Sequence, residues 1–289
     1  MESQENQYRW PKAEAVYPDR PGRSYALKRL RYRLRAFSHR GLIAQFEQFI
    51  NQHPFLVKLL NEHADYSYPL VYRFLDKRFN RKQRFQAICD NLLFLPEKLT
   101  ALSTPIYKTP LSFGVVIPDF EMPLSMTTHQ PMEGYWVLEL WHKPRNELVY
   151  LPTFAKLGES LLISVVQGPN FEGSKEMVKQ LTKTCYGLRP AYLMVETMKA
   201  LTKVLGFNQL LGIPQKYQNK SRFIQSSHYV VDYDAIFAES GGQLKDYWEL
   251  PLEIDRNLDD VPSKKRSMYR KRYAMLDDLA KLIEEKLGL

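Results

Sequence analysis

Cysteine is scarce in this chain of 289 residues, since only Cys89 and Cys185 are present. Two cysteines so far apart in sequence exclude a disulfide framework and predict a reducing compartment. Long apolar stretches are also missing, because no run approaches the roughly 18 residues that a membrane-spanning helix needs. The first dozen residues are polar and contain no apolar segment of the secretory type. We therefore expect a cytoplasmic protein, peripheral to the inner membrane if it contacts a membrane at all.

The sequence also lacks the common signatures of catalytic and metal sites. It has no Gly-x-Ser-x-Gly nucleophile elbow, no P-loop and no Gly-x-Gly-x-x-Gly pattern. The six histidines include no pair at metal-ligand spacing, so we expect no metal. Cys185 falls on the apolar face of a predicted helix, which favours a buried structural thiol over a nucleophile.

Acidic residues are outnumbered by basic ones, 32 to 41, which gives a net charge of +9. This excess favours anionic partners: nucleic acid, an anionic membrane face or an acidic carrier protein. Nucleic acid is the weakest of the three, because the chain has no RNP motif, zinc finger or clear helix-turn-helix. The choice between a membrane and a carrier protein stays open.

The first hundred residues are predicted to be mostly helical. Residues 1–25 contain three prolines and mixed charge, and we expect an irregular arm there. Residues 26–104 are predicted to form a helical N-terminal region. Its later helices are expected at 42–60, 68–79 and 81–95, with Pro96 ending the last one.

The first helix of this region combines an apolar stripe with many cations. Leu27, Leu30, Leu34 and Phe37 share one side. Basic residues surround the stripe: Lys28, Arg29, Arg31, Arg33 and Arg35. Such a helix can lie on an anionic bilayer. The alternative, which we favour at this point, is that the stripe packs on the protein core while the cations face solvent.

Residues 105–289 change to a strand-rich pattern that predicts an α/β core. Residues 134–142 alternate between apolar and polar, and a turn at 143–146 leads into 147–151. Residues 161–166 form a run that is apolar except for Ser164 and is typical of a buried strand. We predict that these three segments make an antiparallel meander. Other expected elements are strands at 111–117, 207–213 and 247–254, helices from Ser174 and through 194–205, and a final helix from Ser263.

The stretch that follows the apolar run resembles an anion cradle. Gln167 and Gly168 end the predicted strand, and Gly173 and Ser174 precede the next helix. Free backbone N–H groups and the helix dipole both favour a phosphate at such a place. Most strand–loop–helix connections bind nothing, so a purely structural turn is the competing interpretation.

Several residues are acid–base candidates: Glu139 and His142 on the hairpin, and Tyr217, His228, Asp232 and Glu239 after the cradle. Glu139 and His228 are the two that we prefer as a general base. A glutamate on a strand facing a cleft can act as a base once burial raises its pKa. The alternative for Glu139 is a solvent-facing strand position.

The predicted final helix begins with a cluster of six cations: Lys264, Lys265, Arg266, Arg270, Lys271 and Arg272. Cations at a helix N-terminus oppose the helix dipole, so their presence is a local conflict that can mark a membrane- or anion-binding patch. A solvated charge run, with long side-chain stems covering apolar surface, explains them equally well.

An ordered set of short motifs resembles the VirK/YbjX family of Gram-negative bacteria. The set consists of Gln167-Gly168-Pro169, Gly187-Leu188-Arg189-Pro190, Asn219-Lys220-Ser221-Arg222, Asp232-Tyr233-Asp234 and Ser263-Lys264-Lys265-Arg266. The resemblance spans nearly the whole chain. It implies a cytoplasmic bacterial protein of unknown function, linked to virulence and to envelope resistance against cationic antimicrobial peptides. It supplies no established active site.

The order hairpin, strand, Gln-Gly loop, helix and strand is similar to the core of the GNAT acyltransferases. That likeness implies a loop and helix N-terminus that hold the pyrophosphate of acyl-CoA or the phosphopantetheine of an acyl carrier. Pro169 and Glu172 in the loop, and two helices instead of one before the next strand, depart from the GNAT pattern.

We thus expect an α+β fold in which a helical N-terminal region packs on a mixed, GNAT-like sheet with a C-terminal helix. The leading functional hypothesis is envelope-related acyl transfer, with the cradle holding the donor and Glu139 or His228 as the base. The alternative hypothesis is a non-enzymatic adaptor that binds an anionic membrane or a protein partner through its basic helices.

Overall fold

The computed structural model describes residues 7–127, 130–219, 232–259 and 261–288. Its N-terminal part is helical. The elements there are α1 (Ala13–Val16), α2 (Ala26–Ser38), α3 (Arg40–Asn51), α4 (Pro54–Glu62), a 3₁₀ segment (Ala64–Val71) and α5 (Arg81–Lys98).

The rest of the described chain combines strands with helices. The first strands are β1 (Leu111–Ile117), β2 (Phe120–Met126), β3 (Trp136–Leu138), β4 (Leu140–His142), β5 (Glu147–Leu157) and β6 (Ser160–Gln167). The later elements are α6 (Ser174–Thr184), α7 (Pro190–Val204), β7 (Leu210–Gly212), α8 (Tyr233–Glu239), β8 (Gln243–Leu244), β9 (Trp248–Leu250) and α9 (Ser263–Leu287). The predicted α+β class is therefore confirmed.

One mixed sheet organises the fold, in the order β1-β2-β3-β5-β6-β7-β9-β8, with β4 beside β2 and β5. The predicted meander through the hairpin and β6 is confirmed, since β5 pairs antiparallel with β3, β4 and β6. β7 then pairs parallel with β6, and α6 and α7 form the crossover between them. In the segment that follows β7, the side chain of Gln218 donates a hydrogen bond of 3.0 Å to the carbonyl of Ser164 in β6.

The core lies between the sheet and its helices. α5 and α7 pack on β5, and α9 packs against α7 and β1. Trp136 is fully buried, and its indole N–H donates to the Asn91 carbonyl at 2.9 Å. The Asn91 side chain in turn exchanges hydrogen bonds with the backbone of Lys156, at 2.8 and 2.7 Å. These bonds attach α5 to the middle of the sheet.

Three local expectations were wrong. Residues 68–79 are not an α-helix, because the 3₁₀ segment contains Pro69 and the chain then turns at Leu75, whose φ is +52°. Pro96 does not end α5, which continues to Lys98, and beyond the proline the Leu99 N–H still bonds the Leu95 carbonyl. β2 was missed, since Glu121 and Pro123 obscure its apolar pattern.

The N-terminal arm is more ordered than its composition indicates. Tyr8 is buried and its hydroxyl lies 2.7 Å from Ser67 Oγ. The backbone N–H of Tyr8 donates to Asn51 at 2.8 Å, and α1 interrupts the stretch that was expected to be irregular.

Candidate functional site

The predicted boundary between strand and helix at the cradle is confirmed, and a cleft lies beside it. β6 ends at Gln167, and Gly173, with φ of +79°, is the N-cap of α6. The cleft has a volume of about 550 Å³ and lies between α6 and the turns at 118–120 and 142–145. A Cβ atom on Gly173 would meet nothing closer than Arg145 Nη1 at 3.8 Å, so this position is open toward the cleft.

The structure does not bring all four cradle residues around that cleft. Of the four, only Gly173 lines it. The side chain of Gln167 donates to the buried carboxylate of Glu133 at 3.0 Å, and Gly168 lies against the Tyr150 ring. The N–H of Ser174 bonds the Phe171 carbonyl at 3.2 Å. Phosphate binding by the cradle therefore stays a prediction.

Arg145 and His142 bring polar chemistry to the same cleft. The sequence made His142 an acid–base candidate but gave Arg145 no role. The Arg145 guanidinium lies over the Phe171 ring at 5.8 Å and its Nε lies 3.0 Å from Glu147. His142 Nδ1 is buried and has no hydrogen-bond partner among the described residues. Asp119 and Glu176 line the cleft as well, so its charge is mixed.

The two proposed bases are not assembled into a site. Glu139 is half-buried between β3 and β4, accepts a hydrogen bond from Trp141 Nε1 at 3.0 Å and does not line the cleft. His228 lies outside the described residues. Both assignments stay predictions.

The two cysteines are structural. Cys89 and Cys185 are both buried free thiols. Burial raises the pKa of each thiol to about 12, so neither forms a thiolate at neutral pH. In the described ranges, no group of histidine, cysteine, aspartate and glutamate side chains is arranged to hold a metal ion.

The six cations of α9 divide into two groups. Arg266 donates to the Val261 carbonyl at 3.0 Å, and Arg272 donates to the Tyr186 carbonyl at 2.8 Å and stacks on Tyr269. These two therefore have structural partners. The other four are exposed and form no ion pair with the described part of the chain: Lys264, Lys265, Arg270 and Lys271.

The clearest surface feature is on α2, where the expectation of a core-packed stripe was wrong. Leu27, Leu30, Leu34 and Phe37 are 59%, 50%, 63% and 72% exposed. We call these four residues the α2 stripe. Among the described residues, the other large apolar side chains with such exposure are Val115 and Leu244, far apart in sequence.

The opposite side of α2 holds the helix on the protein. Successive helical residues advance by about 100°, so the α2 stripe covers an arc of about 80° and Tyr32 lies about 180° from its centre. Tyr32 is buried, stacks on Trp10 and donates to the Pro11 carbonyl at 2.8 Å. Sequence reasoning missed this because Tyr32 lies among the cations and not on the leucine side.

None of the helices in the described ranges is both long and apolar enough to cross a membrane.

Comparison with known proteins gives a family and three informative relatives. Residues 21–285 match the family model described as Protein of unknown function (DUF535). An uncharacterized protein of Haemophilus influenzae is 80% identical over 98% of this chain and 97% of its own length. Membrane protein LapB of Mannheimia haemolytica is 64% identical over 75% of this chain and 96% of its own length. Uncharacterized protein YbjX of Escherichia coli is 24% identical over 89% of this chain and 83% of its own length.

No solved structure matches the chain. The likeness to the GNAT acyltransferases therefore stays a prediction.

Proposed function

Because the chain belongs to the DUF535 family, as its resemblance to the VirK/YbjX proteins predicted, we propose its function from its own surface: peripheral binding to an anionic membrane through α2. The observation that carries this proposal is the exposure of the α2 stripe, four large apolar side chains on one side of one helix. An exposed apolar patch on a charged helix is typical of helices that lie in the membrane interface.

The size of the stripe suits reversible attachment. Each of its side chains is already partly covered, so burying the remainder in lipid contributes about 1 kcal/mol, or about 4 kcal/mol for the four. α2 is about 20 Å long, and its stripe runs along the full length. The apolar term alone is too weak for stable attachment, so a second contribution is needed.

The charge around α2 supplies that second contribution. Residues 20–46 contain eight cations and no carboxylate: Arg20, Arg23, Lys28, Arg29, Arg31, Arg33, Arg35 and Arg40. Two of them are neutralised from outside the stretch, Arg29 by Asp19 and Arg33 by Glu14. Each remaining cation near an anionic leaflet contributes about 1 kcal/mol. This positive charge favours an anionic bilayer over a neutral bilayer or a protein surface without acidic residues.

Two further observations support a membrane. The relative from Mannheimia haemolytica carries the name Membrane protein LapB. The free, buried state of both cysteines suits the cytoplasmic side. A role at the envelope is also what the VirK/YbjX resemblance implies.

Vesicle flotation tests the proposal. Wild-type protein is expected to float with phosphatidylglycerol-containing vesicles and not with purely zwitterionic ones. Replacing all four residues of the α2 stripe by Gln removes about 4 kcal/mol, which is roughly a thousandfold in affinity. The matched control replaces the two other exposed apolar residues, Val115 and Leu244, by Gln and is expected to float like wild type.

Melting curves establish that both variants are folded. Equal flotation of the stripe variant and wild type, or no flotation of wild type at low salt, would contradict the proposal. If wild type does not float at low salt, the α2 stripe is a contact surface for another protein. The adaptor hypothesis with a protein partner then replaces the membrane proposal.

A second candidate function is the binding of an acyl-CoA or acyl-carrier donor beside α6. What favours it is the cleft of about 550 Å³ that Gly173 and Arg145 line. A phosphate in this cleft would face the N-terminus of α6 and the guanidinium of Arg145. Calorimetry with acyl-CoA tests it, and Arg145→Gln is expected to weaken binding about tenfold. Absence of heat with wild type would remove the transferase hypothesis.

A further inference from the structure

Arg84, in the first turns of α5, is a buried cation that has no acidic partner among the described residues. It is 7% exposed, and Arg81 is the charged side chain of the described ranges that acts on it. Its Nε donates to the Leu70 carbonyl at 2.8 Å, and its Nη2 lies 3.2 Å from His39 Nε2. Nη1 has no hydrogen-bond partner in the described part of the chain, and this atom keeps some contact with solvent. Buried arginines are normally paired, so this guanidinium has unused capacity for an anion.

The charged side chains that interact with Arg84 and with its neighbour His39 are arginines. Arg81 lies one turn earlier on α5, is exposed and directs Nη1 toward the Ser38 carbonyl at 3.4 Å. Arg35 of α2 stacks on Tyr72 at 3.9 Å. His39 lies among these three arginines. Burial lowers the pKa of His39, the bond to the Arg35 carbonyl opposes this, and the charges of Arg81, Arg84 and Arg35 lower it further.

The hydrogen bonds fix the state of the imidazole. Arginine can only donate, so His39 Nε2 accepts from Arg84 and the ring is neutral. The proton is then on Nδ1, which lies 2.8 Å from the Arg35 carbonyl. The imidazole thus positions Arg84 and does not neutralise it.

We propose that Arg84, Arg81 and His39 form a binding site for a phosphate group at the junction of α2 and α5. Nη1 of Arg84 and the guanidinium of Arg81 donate to the phosphate oxygens, since residues three apart on a helix share a face. Arg35 contributes to the positive field without a direct bond. Phe37, the last residue of the α2 stripe, directly precedes Ser38, whose carbonyl Arg81 contacts. The phosphate therefore belongs either to a lipid headgroup or to a free phosphate compound. The lipid source rests on the proposed membrane function, whereas the site itself does not.

NMR of the His39 ring tests the site in the full chain. His39→Gln identifies the signal, and inorganic phosphate is titrated against chloride at equal ionic strength. A bound phosphate stabilises the protonated ring, so the pKa of His39 is expected to rise with phosphate in a saturable way and not with chloride. Arg81→Gln is expected to weaken phosphate binding about tenfold, the effect of one charge-assisted hydrogen bond. The matched control is Lys183→Gln, which removes one exposed cation of α6 and should leave phosphate binding unchanged.

Two results would overturn the site: an identical response to phosphate and chloride, or a saturable response that Arg81→Gln leaves unchanged. Because Arg81 is exposed, its replacement tests the site without emptying a buried position.

Flotation with phosphatidylglycerol vesicles distinguishes the sources. If the site holds a lipid headgroup, Arg81→Gln lowers vesicle binding about tenfold more than Lys183→Gln does. If it holds a free phosphate compound, the two variants float equally and only the NMR titration changes. If wild type binds no vesicles while His39 still responds to phosphate, the site stands and the membrane function fails.

Discussion

Arg78 binds the fully buried carboxylate of Asp76 with two nitrogens, Nη2 at 2.6 Å from Oδ2 and Nε at 3.1 Å from Oδ1. The same guanidinium lies over the Tyr217 ring at 3.8 Å and near the Tyr247 ring at 4.9 Å. This pair therefore connects the loop before α5 with the segments on both sides of α8.

Asp76→Ala is expected to lower the free energy of unfolding by about 2–4 kcal/mol, because Arg78 loses its bidentate partner but keeps some contact with solvent. Urea denaturation measures this loss. A double-mutant cycle with Arg78→Gln should give a coupling energy of about 1–3 kcal/mol. A loss below about 0.5 kcal/mol, the range of surface substitutions, would show that the pair does not hold these segments together.

The lowered pKa of His39 predicts a pH dependence of stability. In the unfolded chain the ring titrates near its ordinary pKa of about 6.5, whereas the folded ring titrates lower. Below about pH 6.5 the unfolded state therefore binds more protons, and the stability supplied by neutral His39 falls as the pH decreases toward its folded pKa. His39→Gln removes the titrating group. Denaturant titrations from pH 7.5 to 5 should show a smaller loss of stability in this variant than in wild type, and equal slopes would contradict the assignment.

The side chain of Asn91 is predicted to be essential for attaching α5 to the sheet. Asn91→Leu leaves the Lys156 backbone N–H and C=O without the partners described above, and should lower the free energy of unfolding by about 2–4 kcal/mol. Gln86→Ala is the control on the same helix, since that side chain is exposed and bonds only Asp90. It should change stability by less than about 0.5 kcal/mol. Similar melting temperatures for the two variants would contradict the prediction.

Membrane binding through α2 is expected to depend on salt. Exposed charges are screened over about 10 Å at 0.1 M salt and over a shorter distance at higher salt. Raising the salt from 0.1 to 0.5 M should weaken flotation with anionic vesicles by about tenfold or more, while the apolar contribution remains. Binding that is insensitive to salt would assign the attachment to the α2 stripe alone.

The sheet was largely predictable because its strands have distinctive patterns. Residues 161–166 are apolar except for Ser164, and Gly173 takes a left-handed φ of +79° that glycine adopts without strain. β2 could not be recognised, since its apolar residues are interrupted by Glu121 and Pro123 and its pairing with β3 and β4 depends on the whole sheet.

The functional surface was harder to predict for a physical reason. The spacing of Leu27, Leu30 and Leu34 is the same whether a helix packs on a core or on lipid. Only the neighbouring elements decide, and here Trp10 and Pro11 of the arm bind the Tyr32 side. Arg84 and His39 are likewise 45 residues apart, so no local pattern indicates their contact.

The parallel pairing of β6 with β7 also sets an order of events during synthesis. Leu161 meets Leu210 only after residues 162–209, including both crossover helices, have left the ribosome. Until then the nascent chain carries an antiparallel meander whose last strand is apolar and has a free edge, which is a template for pairing with another chain. Closing so long a loop is slow compared with forming a hairpin. We therefore expect β7–β9 to join last, and truncation before Leu210 to yield aggregates instead of a smaller stable protein.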